Sequence, residues 1–236
     1  MSFEELGLCK EIISSINEKG YKNPTEIQKE AIPHILMGRD ILGCAQTGTG
    51  KTGSFVMPLA EILSSGKSKS RMPRSLILAP TRELAMQVAE EFNFINKFLK
   101  LQMALLIGGV SFTEQDNKLA KGVDVLVATP GRLIDHMERG KVIIKDVKIL
   151  IIDEADRMLD MGFIPDIMKI NKLLPTIRQT LFFSATLSDE IRNIGKNLLI
   201  NPKEIKITPY SSTSSNIDSY FFNAFNDLMS FLISFC

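Results

Sequence analysis

The sequence predicts an α/β fold in which helices cover both faces of a mostly parallel sheet. Two observations predict it: short apolar runs alternate with helix-like segments, and each run is followed by a polar motif. The run at residues 147–152 is the clearest, because branched apolar residues dominate it, as in a strand buried on both faces. The strand-like runs lie at residues 40–44, 75–79, 103–107, 124–128, 147–152 and 180–183.

The first strand leads into a loop that is typical of phosphate binding. Residues 45–52 read Ala-Gln-Thr-Gly-Thr-Gly-Lys-Thr, and only the first position departs from the general pattern, which begins with glycine. The two glycines allow backbone N–H groups to surround a phosphate, and the lysine adds a full positive charge. A flexible turn is the alternative, but a strand precedes this loop and a plausible helix, residues 53–60, follows it. We therefore expect a nucleotide site here.

Three acids follow the strand at residues 147–152. Residues 153–156 read Asp-Glu-Ala-Asp, at the edge where ligands bind in open α/β sheets. The simpler alternative is that Asp153, which follows a strand, only caps the next helix. The phosphate-binding loop on the same edge favours a chemical role instead.

The other strands also end in polar motifs. These are Pro-Thr-Arg-Glu-Leu-Ala at residues 80–85, Gly-Gly at 108–109, Thr-Pro-Gly-Arg at 129–132 and Ser-Ala-Thr at 184–186. Each alone is ordinary turn chemistry. Because parallel strands end at one edge, the motifs together predict an extended polar surface beside the phosphate loop.

One helix and one loop are also marked in the sequence. The helix is indicated by apolar residues at spacings of three and four, which are Leu84, Val88, Phe92, Ile95 and Leu99. The loop, residues 64–74, is basic, and it is either a solvated connection or a contact for nucleic acid.

Composition limits the possible functions. The net charge is only +1, so a nucleic-acid site has to be local. No run of 18 apolar residues and no signal peptide is present, and we expect a cytoplasmic, monomeric protein without membrane contact. The three cysteines, Cys9, Cys44 and Cys236, lack metal or disulfide spacing, and His34 and His136 are isolated. We assign no role to any of them.

In their order, these motifs closely resemble those of the DEAD-box family of ATP-dependent RNA helicases. The chain also has that family's Gly-Tyr-Lys-Asn-Pro-Thr-Glu-Ile-Gln motif at residues 20–28, and an aromatic residue, Phe3, 17 residues before Gly20. Alanine at position 45 is normal in this family. The resemblance implies a three-layer RecA-like domain over residues 1–208, with motif Q at about residues 1–29. Residues 157–163 further resemble bacterial members.

The resemblance also implies ATP and Mg²⁺ as ligands. Phe3 would pack on the base and Gln28 would read adenine, although Thr25 to Gln28 is also a capping box that opens a helix. The loop residues that would hold ATP are Ala45, Gln46, Thr47, Gly48, Thr49, Gly50, Lys51 and Thr52. Asp153 would hold Mg²⁺ together with Thr52, and Glu154 would activate the attacking water.

The remaining motifs would contact RNA or couple the ATP site to the RNA site. The residues that would hold the phosphate backbone of single-stranded or duplex RNA are Thr81, Arg82, Gly109, Thr129, Gly131 and Arg132. No aromatic residue interleaves with these motifs, so we expect no base-specific recognition. Asp156 would couple hydrolysis to strand separation through Ser184 and Thr186, whose hydroxyls could instead make only local turn hydrogen bonds.

The last part of the chain departs from the rest. Residues 209–236 contain no lysine or arginine, whereas the residues before them carry all 28. Residues 211–215 resemble an interdomain linker, and residues 216–222 resemble the first strand of a second RecA-like domain. We expect a truncated or split helicase, because that second domain supplies arginines to the γ-phosphate in this family.

Two functions remain open from the sequence. The chain is an RNA-dependent ATPase and helicase if a second domain arrives in trans, or a domain that binds ATP and RNA without turnover. A P-loop kinase or GTPase is a third alternative, but the motifs after residue 80 do not support it.

Overall fold

The computed structural model describes residues 1–66 and 72–207 and shows an α/β fold. Seven strands form one sheet in the order β3-β4-β2-β5-β6-β1-β7. Every pairing in this described sheet is parallel, so the predicted mostly parallel sheet is confirmed. The strands are β1 Ile41–Cys44, β2 Ser75–Leu78, β3 Met103–Leu106, β4 Val125–Ala128, β5 Ile149–Ile152, β6 Gln179–Ser184 and β7 Lys203–Lys206.

Helices cover both faces of the sheet, as predicted. Helices α1 to α4 pack with one hydrophobic core and α5 to α9 with the other. The helices are α1 Lys10–Glu18, α2 Glu26–Leu36, α3 Lys51–Ser64, α4 Arg82–Ile95, α5 Phe112–Ala120, α6 Pro130–Glu138, α7 Ala155–Asp160, α8 Ile164–Asn171 and α9 Asp189–Leu198. Short 3-10 turns lie at Glu4–Leu6 and Asn96–Phe98.

The register of the central strands explains the two cores. Ile77 of β2 pairs with Ile151 of β5, which pairs with Leu181 of β6, and all three are fully buried in the first core. Their neighbours in sequence, such as Ile152 and Phe182, point to the opposite face and enter the second core. Because both faces are covered, these strands read as continuous apolar runs rather than as alternating ones.

Strand β1, which carries the phosphate loop, lies tightly against β6. A Cβ atom on Gly43 would lie 2.5 Å from the Phe183 ring, so this position has no room for a side chain. The Phe183 ring in turn contacts Phe55 of α3, with 5.4 Å between ring centroids. The start of the loop is therefore fixed by packing on both sides.

Two features differ from the sequence pattern. The periodic pattern continues to Leu99, but α4 ends at Ile95 and the chain continues in the 3-10 turn. Strand β7 was not predicted, because its sequence is Lys-Glu-Ile-Lys and only Ile205 is buried, as suits an exposed edge strand. Arg192 of α9 forms a bidentate ion pair with Glu204 of this strand, with N to O distances of 3.1 and 2.9 Å. This ion pair connects β7 to α9.

Some predictions fall outside the described residues. These are the domain boundary after residue 208, the linker at 211–215, the strand at 216–222 and the central part of the basic loop at 64–74. Within the described ranges, no helix is long and apolar enough to cross a membrane.

Candidate functional site

The phosphate loop joins β1 to α3 and is shaped by its glycines. Gly48 and Gly50 have φ angles of 86° and 87°, in the left-handed region that glycine adopts without strain. Between them, the Thr49 hydroxyl donates to the Gln46 carbonyl at 2.7 Å and closes the turn. Gly50 is the N-cap of α3, so the positive end of this helix faces the loop. The local geometry is that of an anion site.

Lys51, the first residue of α3, points at the acids that follow β5. Its ammonium lies 3.2 Å from Asp153 Oδ1 and forms an ion pair with Glu154 as well. The lysine is only 4% exposed. Burial opposes the charged ammonium, but the two carboxylates outweigh it and raise the pKa of Lys51. The loop and the acidic motif, which are far apart in sequence, therefore form one charged centre.

Asp153 is the most deeply buried acid of this centre. Burial raises the pKa of Asp153, although Lys51 opposes that shift. Its Oδ1 accepts the backbone N–H of Glu154 at 3.0 Å. The alternative that Asp153 merely caps the next helix is wrong, since Glu154 occupies the N-cap position of α7.

Glu154 has a strained backbone. Its φ and ψ angles are 57° and 50°, in the left-handed region that a residue with a long side chain rarely adopts. Such conformations cost about 1–3 kcal/mol and persist where the surroundings require them, often at functional sites. Here the conformation brings the carboxylate to Lys51 and within 3.5 Å of the Thr47 hydroxyl.

The motif Q residues pack against the phosphate loop. Gln28 accepts the backbone N–H of Thr25 at 2.9 Å and completes the capping box of α2. The predicted capping box at Thr25 to Gln28 is therefore confirmed. The amide nitrogen of Gln28 also donates to the Gly50 carbonyl at 3.1 Å. Phe3 is buried and lines the same cleft. Contact with adenine remains a prediction for both Gln28 and Phe3.

A cleft of about 390 Å³ lies between these elements. Among the described residues that line it, Lys51 is the one cation, and Glu91, Asp153 and Glu154 are the acids. Thr52 and Asp153 also line it and offer a hydroxyl and a carboxylate, the oxygen ligands that Mg²⁺ prefers. The described chain holds no group of three or more metal-binding side chains. Thr52 and Asp153 fit Mg²⁺ by the chemistry of their oxygen atoms.

Asp156 connects the acidic motif to the end of β6. Its Oδ2 accepts the backbone N–H groups of Ala185 and Thr186, at 3.1 and 3.0 Å, and the Thr186 hydroxyl at 3.2 Å. The Ser184 hydroxyl accepts the backbone N–H of Asp156 at 3.3 Å. The structure thus brings the three predicted coupling residues into one hydrogen-bonded group.

The predicted RNA-binding residues after β2 and β3 also meet. Thr81 caps α4 by accepting the N–H of Leu84 at 3.3 Å, which leaves Arg82 exposed on the first turn. Gly109 has a φ angle of 76°, and the Arg82 guanidinium occupies the space that a side chain at this position would need. A basic group and an open backbone loop therefore lie side by side.

The last predicted RNA-binding motif opens α6. Thr129 is the N-cap of this helix, and its side chain makes no capping bond. Gly131 follows at the second helical position, and Arg132 reaches back to the loop after β3, where it donates to the Val110 carbonyl. Together with Arg82 and Gly109, these residues lie on the edge where parallel strands end.

Sequence reasoning missed the residues around Arg132. Phe112, Gln115 and His136 surround it, and Arg132 Cζ lies 3.3 Å from the centroid of the Phe112 ring. Phe112 comes three positions after Gly109, so an aromatic residue does stand beside the motifs. Gln115 and His136 carry no signal in the sequence, because only the fold brings them to Arg132.

A phosphate loop after β1 and acids after β5, on one edge of a parallel sheet, define a P-loop nucleotide-binding domain of the RecA-like class. A family model described as DEAD/DEAH box helicase matches residues 25–194. The chain belongs to the DEAD/DEAH box helicase family, and the kinase and GTPase alternative is therefore wrong.

Individual relatives agree with this assignment. The chain is 42% identical over 236 residues to the ATP-dependent RNA helicase DeaD of Buchnera aphidicola subsp. Baizongia pistaciae, covering 100% of this chain and 39% of that protein. It is 40% identical over 220 residues to the DEAD-box ATP-dependent RNA helicase CshA of Bacillus anthracis, covering 93% and 41%. The chain thus spans about two fifths of the length of these curated relatives.

Solved structures show the same fold. A DEAD box protein from Methanococcus jannaschii is similar with a TM-score of 0.83 and 40% identity, over 88% of this chain and 56% of that one. A hypothetical ATP-dependent RNA helicase from Sulfolobus tokodaii gives a TM-score of 0.77 and 38% identity, over 84% and 57%. The predicted RecA-like fold is confirmed.

Proposed function

We propose that this chain is the ATP- and RNA-binding domain of an RNA helicase, and that it hydrolyses ATP when a second RecA-like domain completes its site. The observation that carries the proposal is the contact of Lys51 with Asp153 and Glu154. Their cleft lies on the same sheet edge as Arg82, Gly109 and Arg132, the proposed RNA contacts. Membership of the family implies ATP and RNA as ligands.

ATP would displace the ion pairs of Lys51. The lysine would turn from the carboxylates to the β and γ phosphates, and Glu154 would be released to accept a proton from the attacking water. Water oxygen would then bond to the γ phosphorus as the bond to ADP breaks. Thr52 and Asp153 would hold Mg²⁺, which neutralises phosphate charge when bound.

The charge in the cleft supports a second domain. One lysine and three acids line the cleft, so the described residues alone provide little positive charge for a triphosphate. An arginine supplied from another domain or protein typically contributes roughly 10³ to 10⁵ in rate to phosphoryl transfer. We therefore propose a second RecA-like domain as the partner that supplies this charge.

The link to RNA would run through Asp156. This residue is two positions from Glu154 and holds the backbone of Ala185 and Thr186. A shift of Glu154 on binding ATP would therefore move Asp156 and the backbone that it holds at the end of β6. At the other strand ends, Arg82, Gly109 and Arg132 would hold phosphates of the RNA backbone, without reading its bases.

The test is the rate of ATP hydrolysis by this chain with and without single-stranded RNA, before and after adding a separately produced second domain from the DeaD relative. We expect slow turnover alone, and an increase of roughly 10³-fold or more when RNA and the second domain are both present. Lys51→Ala is the control for contaminating ATPases.

Each other outcome has a meaning. Fast RNA-stimulated turnover by the chain alone would show that no second domain is needed. Binding of an ATP analogue without turnover in any mixture would support the alternative function, a domain that binds ATP and RNA only.

A further inference from the structure

Gln115 of α5 connects two of the motifs that are proposed to hold RNA. Its side chain is only 2% exposed. The amide nitrogen donates to the carbonyl of Ile107 at 3.0 Å, directly before the Gly108-Gly109 pair. The amide oxygen accepts the Nε–H of Arg132 at 3.3 Å. One buried amide thus spans the loop after β3 and the first turn of α6.

Arg132 is held in place on three sides. Besides the bond to Gln115, it donates through Nη2 to the Val110 carbonyl, and its Cζ lies 3.3 Å from the centroid of the Phe112 ring. A guanidinium has five N–H donors, and the bonds to Gln115 and Val110 use two of them. Other donors therefore remain for a phosphate, in a direction that the three contacts determine.

His136 supports the Gln115 amide from behind. Its Nε2 lies 2.9 Å from the amide oxygen, and its side chain is fully buried. Because the amide nitrogen must donate to Ile107, the amide oxygen faces the histidine and Nε2 is the donor. The charged groups around the imidazole are Asp116, whose Oδ1 lies 3.2 Å from Nδ1, and the guanidinium groups of Arg132 and Arg139.

We propose that Gln115 is a positioning residue for RNA binding, which acts by fixing Arg132 relative to the Gly108-Gly109 loop. This inference rests on the proposed function of Arg132 as a phosphate contact. Gln115 itself is buried and would not touch RNA. Without its amide, the Arg132 guanidinium would lose one of its contacts and its fixed direction relative to the Gly108-Gly109 loop.

The test is a double-mutant cycle on the full chain, with a fluorescently labelled single-stranded oligouridylate as the probe at low salt, where phosphate contacts are strongest. Gln115→Met keeps the side-chain length and removes all three hydrogen bonds of the amide, to Ile107, Arg132 and His136. We expect Gln115→Met and Arg132→Ala each to weaken binding by about tenfold. The double variant should bind within about twofold of Arg132→Ala, because residues that act as a unit are not additive.

Two further variants keep the test decisive. Asn117→Met places the same side chain on the exposed side of α5, and it should bind RNA like the parent. Gln115→Asn keeps an amide but shortens its reach by one methylene, and it should lose binding even if Gln115→Met fails to fold. Urea unfolding should show a lower stability of the Gln115 variants, because buried partners lose their hydrogen bonds, whereas binding of an ATP analogue should be nearly unchanged in a folded variant.

The outcomes separate the inference from the proposed function. If Arg132→Ala binds RNA like the parent, Arg132 is not a phosphate contact and the proposed RNA interface is wrong. If Arg132→Ala weakens binding but the Gln115 variants do not, the positioning role is wrong. Additive losses in the double variant would also overturn it, because Gln115 would then act independently of Arg132.

Discussion

The cleft around Lys51 and the sheet edge that carries Arg132 are organised by different forces. In the cleft, one buried lysine is shared by two carboxylates, so the charges neutralise one another. At the edge, Arg132 is held by a buried amide, a backbone carbonyl and an aromatic ring, and no acid neutralises it in these contacts. Under the proposed function, the cleft would therefore rearrange to bind ATP, whereas the edge already holds its cationic group in place.

This difference in charge pairing between the two regions affects how ATP and RNA would bind. Under the proposed function, ATP would compete with the carboxylates for Lys51, and Glu154 would be freed as a result. RNA would meet an arginine whose side chain is already ordered, so little conformational entropy would be lost on binding. Substitutions in the cleft should thus change chemistry and folding, while substitutions at the edge should change RNA affinity but not the chemistry of ATP hydrolysis.

The largest effect is expected at Glu154. Glu154→Gln keeps the size of the side chain and removes its ability to accept a proton, so turnover of the reconstituted enzyme should fall by roughly 10² to 10⁴. Binding of ATP and RNA should be nearly unchanged. Single-turnover hydrolysis with the second domain present measures this, and retained turnover would exclude Glu154 as the base.

Lys51→Met should abolish ATP binding and also weaken the fold. Removing one partner of a buried ion pair costs about 3–5 kcal/mol, and this value is an upper limit here because Asp153 can take up a proton instead. Burial already raises the pKa of Asp153, and loss of Lys51 raises it further. A carboxyl with a raised pKa in the folded state favours folding at low pH, so the loss of stability should grow as pH rises.

Urea unfolding of Lys51→Met and the parent at about pH 5 and about pH 8 measures this trend. RNA binding at the edge is the control, and it should survive in the folded variant. A difference in stability that is the same at both pH values would mean that Asp153 does not titrate in this range.

Phe112→Leu should weaken RNA binding without affecting the cleft. Leucine keeps an apolar side chain but loses the aromatic face under Arg132, and an exposed cation–π contact is worth about 0.5–1 kcal/mol. We expect binding to a labelled oligouridylate to weaken by about two- to fivefold. Unchanged affinity would mean that Gln115 and Val110 alone hold the guanidinium.

The two regions also differ in how well the sequence predicts them. The cleft is built from contiguous motifs, so the sequence could predict that Lys51, Asp153 and Glu154 lie together. The residues that hold Arg132 could not be predicted in this way. Gln115 lies 17 residues from Arg132, and His136 lies 21 residues from Gln115. Nor does the local sequence indicate the left-handed backbone of Glu154 or the polar edge strand β7, since both depend on tertiary contacts.

The smallest effect concerns pH at the edge. Burial lowers the pKa of His136, the nearby Asp116 opposes this shift, and Arg132 and Arg139 reinforce it. Because the unfolded chain then binds a proton more readily, stability should be complete above about pH 6.5 and decrease as pH falls towards the folded-state pKa. His136→Gln, which keeps a donor for Gln115, should reduce this decrease in urea unfolding at about pH 5.5 relative to about pH 7.5. If the variant and the parent lose stability equally, a group other than His136 titrates, and the protonation of this histidine does not affect the edge.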